Sequence, residues 1–282
     1  MAAAAVAIPS GPVEGMLFFS GKPPAGEVAY QNIDTPTGEP QSNVEKIPYT
    51  VPITDIRGHE GDYNLDHDAF QAIVGLPPSK EVDFIDDESI KKNYYPEVEK
   101  LLLEAVPGST RVFIFDHTIR RPHADSSRKA VRYVHIDQTT KAAKVRVHRH
   151  MGDEAEKLLQ GRYRIINVWR PLNKKPLEST PLAFASSASV DQKDVLPTEL
   201  RTKAYTGETA SIFHNPEQKW YYLSGMTGNE RVLLECFDSE ALKEGSNVKG
   251  GRVPHTAFDH PLSPPNAEGR ESIEVRTLVF GP

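Results

Sequence analysis

The chain has 282 residues, with 33 Lys and Arg against 39 Asp and Glu, a formal net charge of −6 and one cysteine. A lone Cys236 excludes an intramolecular disulfide framework and a cysteine-rich zinc site, and the mildly acidic balance lacks the electrostatic footprint of a nucleic-acid binder. No apolar run approaches the about 20 residues that span a bilayer, so the expectation is a cytoplasmic protein with no membrane or nucleic-acid partner, built around one core.

Residues 1–50 are rich in Pro, Gly, Ala and polar residues, with short extended pieces such as Gly15-Met-Leu-Phe-Phe19, and read as an arm draped over the domain. The apolar start, Met1 to Ile8, lacks a positive leader and meets Pro9 early, so it reads as a frayed terminus rather than a signal peptide. Asp66 to Val74 reads as one short helix, stopped by Gly75-Leu-Pro-Pro78. A stronger helix follows: Pro96 suits a first turn, and Val98, Leu101, Leu102 and Ala105 recur at helical spacing before Pro107-Gly108. After Gly108 the period changes to two, and residues 111–116 and 130–137 read as strands. Residues 139–160 read as helix in two pieces, broken near Met151-Gly152. Further strands are expected at 163–169, 182–185, 208–213, 219–223, 231–237, 251–258 and 272–280. Many short strands separated by turn signals imply a mainly β protein with flanking helices, either a sandwich or a barrel. The expected organisation is an N-terminal arm with helices over 1–108, packed on a β core over 109–282, within one structural domain.

The most informative residues are His135-Ile-Asp137. On a strand, positions i and i+2 point the same way, so the imidazole and carboxylate project side by side, with Tyr133 on the same face. Such a pair supplies two adjacent ligands to a divalent metal, and a second His from a distant strand would complete a facial 2-His-1-carboxylate set. Near the end of the chain, Arg270, Ser272, Glu274 and Arg276 share one face of a strand whose other face carries Ile273, Val275, Thr277 and Val279. A wholly polar face is unusual in a core and suits a site for a dicarboxylate, because an Arg fork pairs bidentately with a carboxylate and a nearby hydroxyl adds a hydrogen bond. The bland alternatives are a His–Asp hydrogen bond at a strand end and an exposed edge strand of alternating charge.

With these residues in hand, the chain resembles a fungal and bacterial family of non-haem iron hydroxylases and desaturases, whose relatives include gibberellin GA4 desaturase-like proteins and the cephamycin 7α-methoxylase subunit. The matching segments are 112–120, His135-Ile-Asp137, 161–172, 234–239, Pro254-His-Thr-Ala-Phe258 and Arg270-Glu-Ser-Ile-Glu-Val-Arg276, in order from about residue 60 to the end. The resemblance implies a double-stranded β-helix (jelly-roll, cupin-like) barrel that uses Fe(II) and 2-oxoglutarate. By position, His135, Asp137 and His255 would bind iron, and Arg270 with Ser272 would hold the distal carboxylate of 2-oxoglutarate. The gap from His255 to Arg270 is longer than is commonest in the superfamily, which makes His260 a rival ligand and Arg276 a rival clamp. His255 is preferred because it sits in a strand-like run, whereas His260 abuts Pro261.

Asn167 and Trp169 share a face of the next strand and can line the barrel mouth, Asn167 toward the cofactor and Trp169 toward substrate, although a buried Trp is as often core. Arg170 faces the other way by alternation unless Pro171 re-aims it, and the resemblance retains it as an anion contact. Tyr222 in Trp220-Tyr-Tyr222 can cover an apolar substrate or fill the barrel, and Arg120 completes the substrate candidates. His117 reads as a hydrogen-bonded His near the pocket, His148 and His150 as part of a solvated helical face, and Cys236 as a buried thiol. No Gly-x-Gly-x-x-Gly, P-loop or Gly-x-Ser-x-Gly motif occurs. The expected activity is an Fe(II)/2-oxoglutarate-dependent oxygenase that takes O2 and hydroxylates or desaturates an organic small molecule of secondary metabolism. Rivals are a silent partner subunit, a non-oxidative cupin-like metalloenzyme and a plain binding module. The sequence leaves the oligomeric state open, a homo-oligomer included.

Overall fold

Two sheets carry the fold. The computed structural model describes residues 8–33, 38–122, 129–203 and 205–282; the stretch 1–7, which includes nearly all of the expected frayed terminus, lies outside the described residues. In spatial order the larger sheet runs β1 (Val13–Ser20), β3 (Lys46–Asp55), β11 (Trp220–Tyr222), β8 (Leu182–Ala185), β13 (His255–Ala257), β6 (His135–Ile136), β10 (Thr206–Ile212), β9 (Val195–Arg201) and β2 (Tyr30–Asn32). The smaller sheet runs β4 (Phe70–Ile73), β12 (Arg231–Asp238), β7 (Tyr163–Pro171), β14 (Ser272–Phe280) and β5 (Arg111–Arg120). Neighbours are antiparallel except for β3–β11 and β2–β9. Five helices accompany them among the described residues: α1 (Leu65–Asp68), α2 (Asp87–Asn93), α3 (Tyr95–Ala105), α4 (Thr140–Met151) and α5 (Ala155–Leu158).

The period-two pattern explains the layers. Every residue of β7, the central strand of the smaller sheet, is buried. Ile166 and Val168 point outward and join Ile273 and Val275 beneath Ile90, Val98 and Leu102 of α2 and α3. Trp169 points inward and meets Phe70, Leu234 and, from the larger sheet, Phe184 and Leu182. The two sheets therefore face each other around a common interior, the double-stranded β-helix that the family resemblance implies. At one end of that interior α4 lays Ala143 and Val147 against Ile165, Leu278 and Phe280. Thr139 starts this helix by accepting a hydrogen bond from the Ala142 N–H (3.2 Å).

Several local expectations change. In place of an arm of short extended pieces, residues 13–20 and 46–55 form a paired β1–β3 hairpin. Its Leu17, Phe19, Val51 and Ile53 cover the outer face of the larger sheet, over Trp220, Tyr222 and Ile136. The first 108 residues thus supply strands to both sheets as well as α2 and α3. The helix expected over 66–74 is one turn only: Ala69 adopts a left-handed conformation (φ 59°) that ends α1, and Phe70 starts a strand paired with β12. The strand expected over 130–137 shrinks to His135–Ile136, because the backbone before it leaves the ladder to bond singly, Val134 N–H to Phe18 O and Ala257 N–H to Val131 O. β9 escapes the sequence pattern because Pro197 interrupts it, although Thr206–Ile212 pairs along its whole length. Cys236 is buried, and burial pushes its thiol well up. Among the described residues no helix is long and apolar enough to cross a membrane.

Behind the larger sheet, the Tyr222 hydroxyl donates to Gly11 O (2.7 Å) and its oxygen meets His260 Nε2 (2.9 Å). Tyr222→Phe leaves both partners unanswered in a buried layer. The expected loss is about 1–3 kcal/mol of unfolding free energy, read from urea denaturation of the two proteins.

Candidate metal centre

β6 and β13 are neighbours, and their register sets His255 directly opposite His135. Opposed residues of an antiparallel pair point the same way, so both imidazoles enter the interior, their centroids 4.4 Å apart. Asp137 follows one alternation after His135, with its Oδ1 3.3 Å from His135 Nε2. One ligand atom from each of the three residues lies within 4.8 Å of the others. His135 Nδ1 lies 2.9 Å from Tyr133 O and His255 Nδ1 lies 3.1 Å from Val253 O. Each ring therefore donates its Nδ1–H to a backbone carbonyl two residues earlier, which directs both Nε2 atoms inward. Two imidazole nitrogens and a carboxylate are the donor set of a divalent iron site with open positions.

The three ligands and the arginine beside them shift one another's ionisation. Burial would raise the Asp137 carboxyl, but the hydrogen bond from His135 and the charges of His255, His135 and Arg276 outweigh it and hold it well below the usual range. Burial would lower His135, and the Asp137 carboxylate reverses that shift. His255 is driven down to about 4 by burial and by the neighbouring His135. Asn167 is wholly buried and its Nδ2 donates to Asp137 Oδ2 at 2.6 Å. It thus orients the carboxylate from the facing sheet, while its buried Oδ1 has no partner.

The inner face of β14 is polar and buried, as its alternation implied. Arg276 is fully committed: Nη1 donates to Asp116 Oδ1 (2.5 Å), Nη2 to Thr118 Oγ1 (2.7 Å), and Nε lies 3.3 Å from Glu274 Oε1. Arg270 differs. It is 7% exposed, stacks over the Trp169 ring (5.5 Å from guanidinium carbon to centroid) and donates from Nη1 to Thr180 O (3.1 Å). Its buried Nε has no partner, and it forms no ion pair among the described residues. Burial pushes this guanidinium down to about 9. Ser272 is buried two residues on, opposite Arg120 in register.

The other expected residues divide. Arg120 comes in beside Ser272 with one donor on Lys129 O (2.8 Å), and its charge reaches Arg270 and Glu274. Trp169 lines the interior. Arg170 is a correction: it lies on the outer face of β7, over the rings of Phe84 (4.7 Å) and Tyr94 (5.3 Å), away from the metal ligands, as alternation without re-aiming requires. Tyr222 is a second correction, being opposite Ala183 on the outer face beneath the β1–β3 hairpin, while Tyr221, opposite Phe184, faces inward. His260 has both ring nitrogens engaged, Nε2 with Tyr222 and Nδ1 accepting from Leu262 N–H (3.1 Å), which leaves none for a metal. His117 bonds Tyr95 Oη (2.9 Å) on the helical side of β5 rather than near the pocket. His150 is only partly exposed, because it stacks on Phe115 at 5.3 Å. Asp116 and Thr118, the partners of Arg276, are not among the residues the sequence singles out, although the alternation Asp116, Thr118, Arg120 on β5 mirrors the polar face of β14.

The chain is similar to known oxygenases over nearly its whole length. Residues 17–280 match the family model described as an oxidoreductase/YMDC permease-like domain. A hydroxylase/desaturase of Penicillium oxalicum, poxK, is 39% identical over 92% of this chain and 87% of its own length. An Fe(II)/2-oxoglutarate-dependent dioxygenase of Aspergillus novofumigatus, nvfI, is 32% identical over 94% of this chain and 95% of its own. A solved structure of the iron and alpha-ketoglutarate-dependent endoperoxidase NvfI superposes with a TM-score of 0.86, at 29% identity, covering 96% of this chain and 98% of that one.

Asn167→Ala frees Asp137 to turn. Divalent-metal affinity is expected to fall about 10- to 100-fold by competitive chelator titration, with His260→Ala unchanged in the same assay.

Proposed function

This chain belongs to the oxidoreductase family whose curated members include Fe(II)/2-oxoglutarate-dependent hydroxylases and desaturases, and from that premise we propose that His135, Asp137 and His255 hold its iron and Arg270 its cosubstrate. It is an Fe(II)/2-oxoglutarate-dependent oxygenase that hydroxylates or desaturates an organic small molecule of secondary metabolism. The observation that carries the assignment of roles is the pairing of the three-ligand cluster with a buried arginine that lacks a carboxylate partner among the described residues. The cytoplasm, which supplies both ferrous iron and the 2-oxo acid, is compatible with this reading.

Iron and 2-oxoglutarate together supply the O2-dependent oxidation of an unreactive C–H bond. The chain's own residues do the rest. Asn167 fixes the Asp137 carboxylate, and the Tyr133 and Val253 carbonyls fix the two imidazole tautomers. Arg270, with Ser272 beside it, receives the distal carboxylate of 2-oxoglutarate in a fork of N–H donors, which satisfies its unpartnered Nε. Trp169 supports that guanidinium face-on and, with Phe70, Phe184 and Leu234, keeps water from the interior. Arg276 holds Asp116 and Glu274, so the negative groups on the two polar strands do not compete for Arg270.

Anaerobic titration with Fe(II) and 2-oxoglutarate is expected to give a visible metal-to-ligand charge-transfer band. His135→Ala, Asp137→Ala and His255→Ala lose it, and His260→Ala keeps it. Arg270→Gln weakens 2-oxoglutarate binding at least tenfold and leaves iron affinity within twofold. A band that survives in His255→Ala, or unaltered 2-oxoglutarate affinity in Arg270→Gln, would contradict these roles.

A further inference from the structure

A cavity of about 210 Å³ opens beside Asp137, between α4 and the β9–β10 hairpin. Its walls are partly apolar, with Val145, Leu200 and the ring of Tyr205, and three cationic side chains of α4 enter it: Lys141, Arg146 and Arg149. The acidic residues in the same lining are already engaged. Glu199 accepts from Arg201 Nε (2.9 Å) and Nη2 (2.8 Å), Glu208 pairs with Lys141 (3.6 Å) and accepts from Thr139, and Asp137 faces the ligand cluster. Arg149 lies over the outer Tyr205 ring (5.7 Å).

Arg146 stands apart. It is half-buried, its guanidinium carbon is 4.6 Å from the centroid of Phe115, and it forms no ion pair or hydrogen bond among the described residues. The nearby carboxylate that acts on it, Asp116, is bound by Arg276. Burial lowers the Arg146 guanidinium from its ordinary value, the direction expected of a cation short of a counter-charge. An arginine fork on an aromatic face, in the lining of a partly apolar cavity that also reaches the metal ligand Asp137, matches one ligand chemistry: an apolar body that ends in a carboxylate.

We propose that Arg146 is a specificity-determining residue that binds a carboxylate of the substrate and so directs the apolar remainder toward the metal. This rests on the functional reading above, since it is the oxygenase site that gives the cavity its purpose. It assigns the substrate to the apolar carboxylic acids and places the selection on α4, outside both sheets.

The test is calorimetric titration of the anaerobic Fe(II)/2-oxoglutarate-loaded protein with 4-phenylbutanoate and, separately, with its methyl ester. The acid is expected to bind at least tenfold more tightly than the ester. In Arg146→Met the acid should weaken at least tenfold, while the ester affinity and the charge-transfer band stay unchanged. Equal binding of acid and ester, a preference that survives Arg146→Met, or no acid binding to protein that shows the band would each overturn the proposal. Absence of the band in the unaltered protein would count against the functional reading instead. The same pair of titrations on metal-free protein, where Arg146 still lines the cavity, then decides the carboxylate claim by itself.

Discussion

Charges buried between two sheets control this structure. Inside a barrel walled by Trp169, Phe70, Phe184 and Leu234, a buried ionised group has little access to water, and removing its partner costs about 3–5 kcal/mol. Arg276 is answered by Asp116, Thr118 and Glu274. Asp137 is answered by His135 and Asn167. Arg270 is answered by a single carbonyl and an aromatic face. On the proposed reading that shortfall selects a dicarboxylate: the distal end meets Arg270, and the 2-oxo acid end reaches the metal held by His135, Asp137 and His255.

The remainder of the fold serves to hold these groups at the right height. The register of β6 on β13 brings His255 opposite His135, and that of β14 on β7 brings Arg276 opposite Asn167 and Glu274 opposite Trp169. One residue of slip on any of these pairs would turn the whole set outward. The outer faces are therefore sealed firmly, by α2 and α3 on the smaller sheet and by the β1–β3 hairpin on the larger. α4 is the element that differs in purpose: its apolar side closes the end of the barrel, and its basic side borders the cavity beside Asp137.

The sequence was informative wherever one residue type implied one chemistry. The His-x-Asp pair, the polar row Arg270, Ser272, Glu274, Arg276 and the ends of β8 and β14 could all be read from it. It was uninformative wherever the question was which of two faces looks inward. Trp220-Tyr-Tyr222 lies in a strand buried on both sides, so alternation separates Tyr221 from Tyr222 without saying which meets substrate; the pairing with Phe184 decides it. For Arg170 the alternation was right and the resemblance was not: it is an outward arginine, buried as deeply as an inward one because Phe84 and Tyr94 cover it. The β1–β3 hairpin was hidden by Pro48, Pro52 and the glycines of the first fifty residues, which are tolerated near a sheet edge and would not be in its centre. Asn167 could be singled out, but its partner Asp137 lies on the facing sheet, and no local pattern carries that contact.

The most direct test of the central claim is an anaerobic crystal structure of the protein with Mn(II) in place of Fe(II), together with 2-oxoglutarate. The account predicts the metal on His135, Asp137 and His255, and the distal carboxylate of 2-oxoglutarate on the Arg270 guanidinium with Ser272 beside it. A metal that ignores His255, or a distal carboxylate bound by Arg276 while Arg270 stays on Thr180 alone, would contradict it.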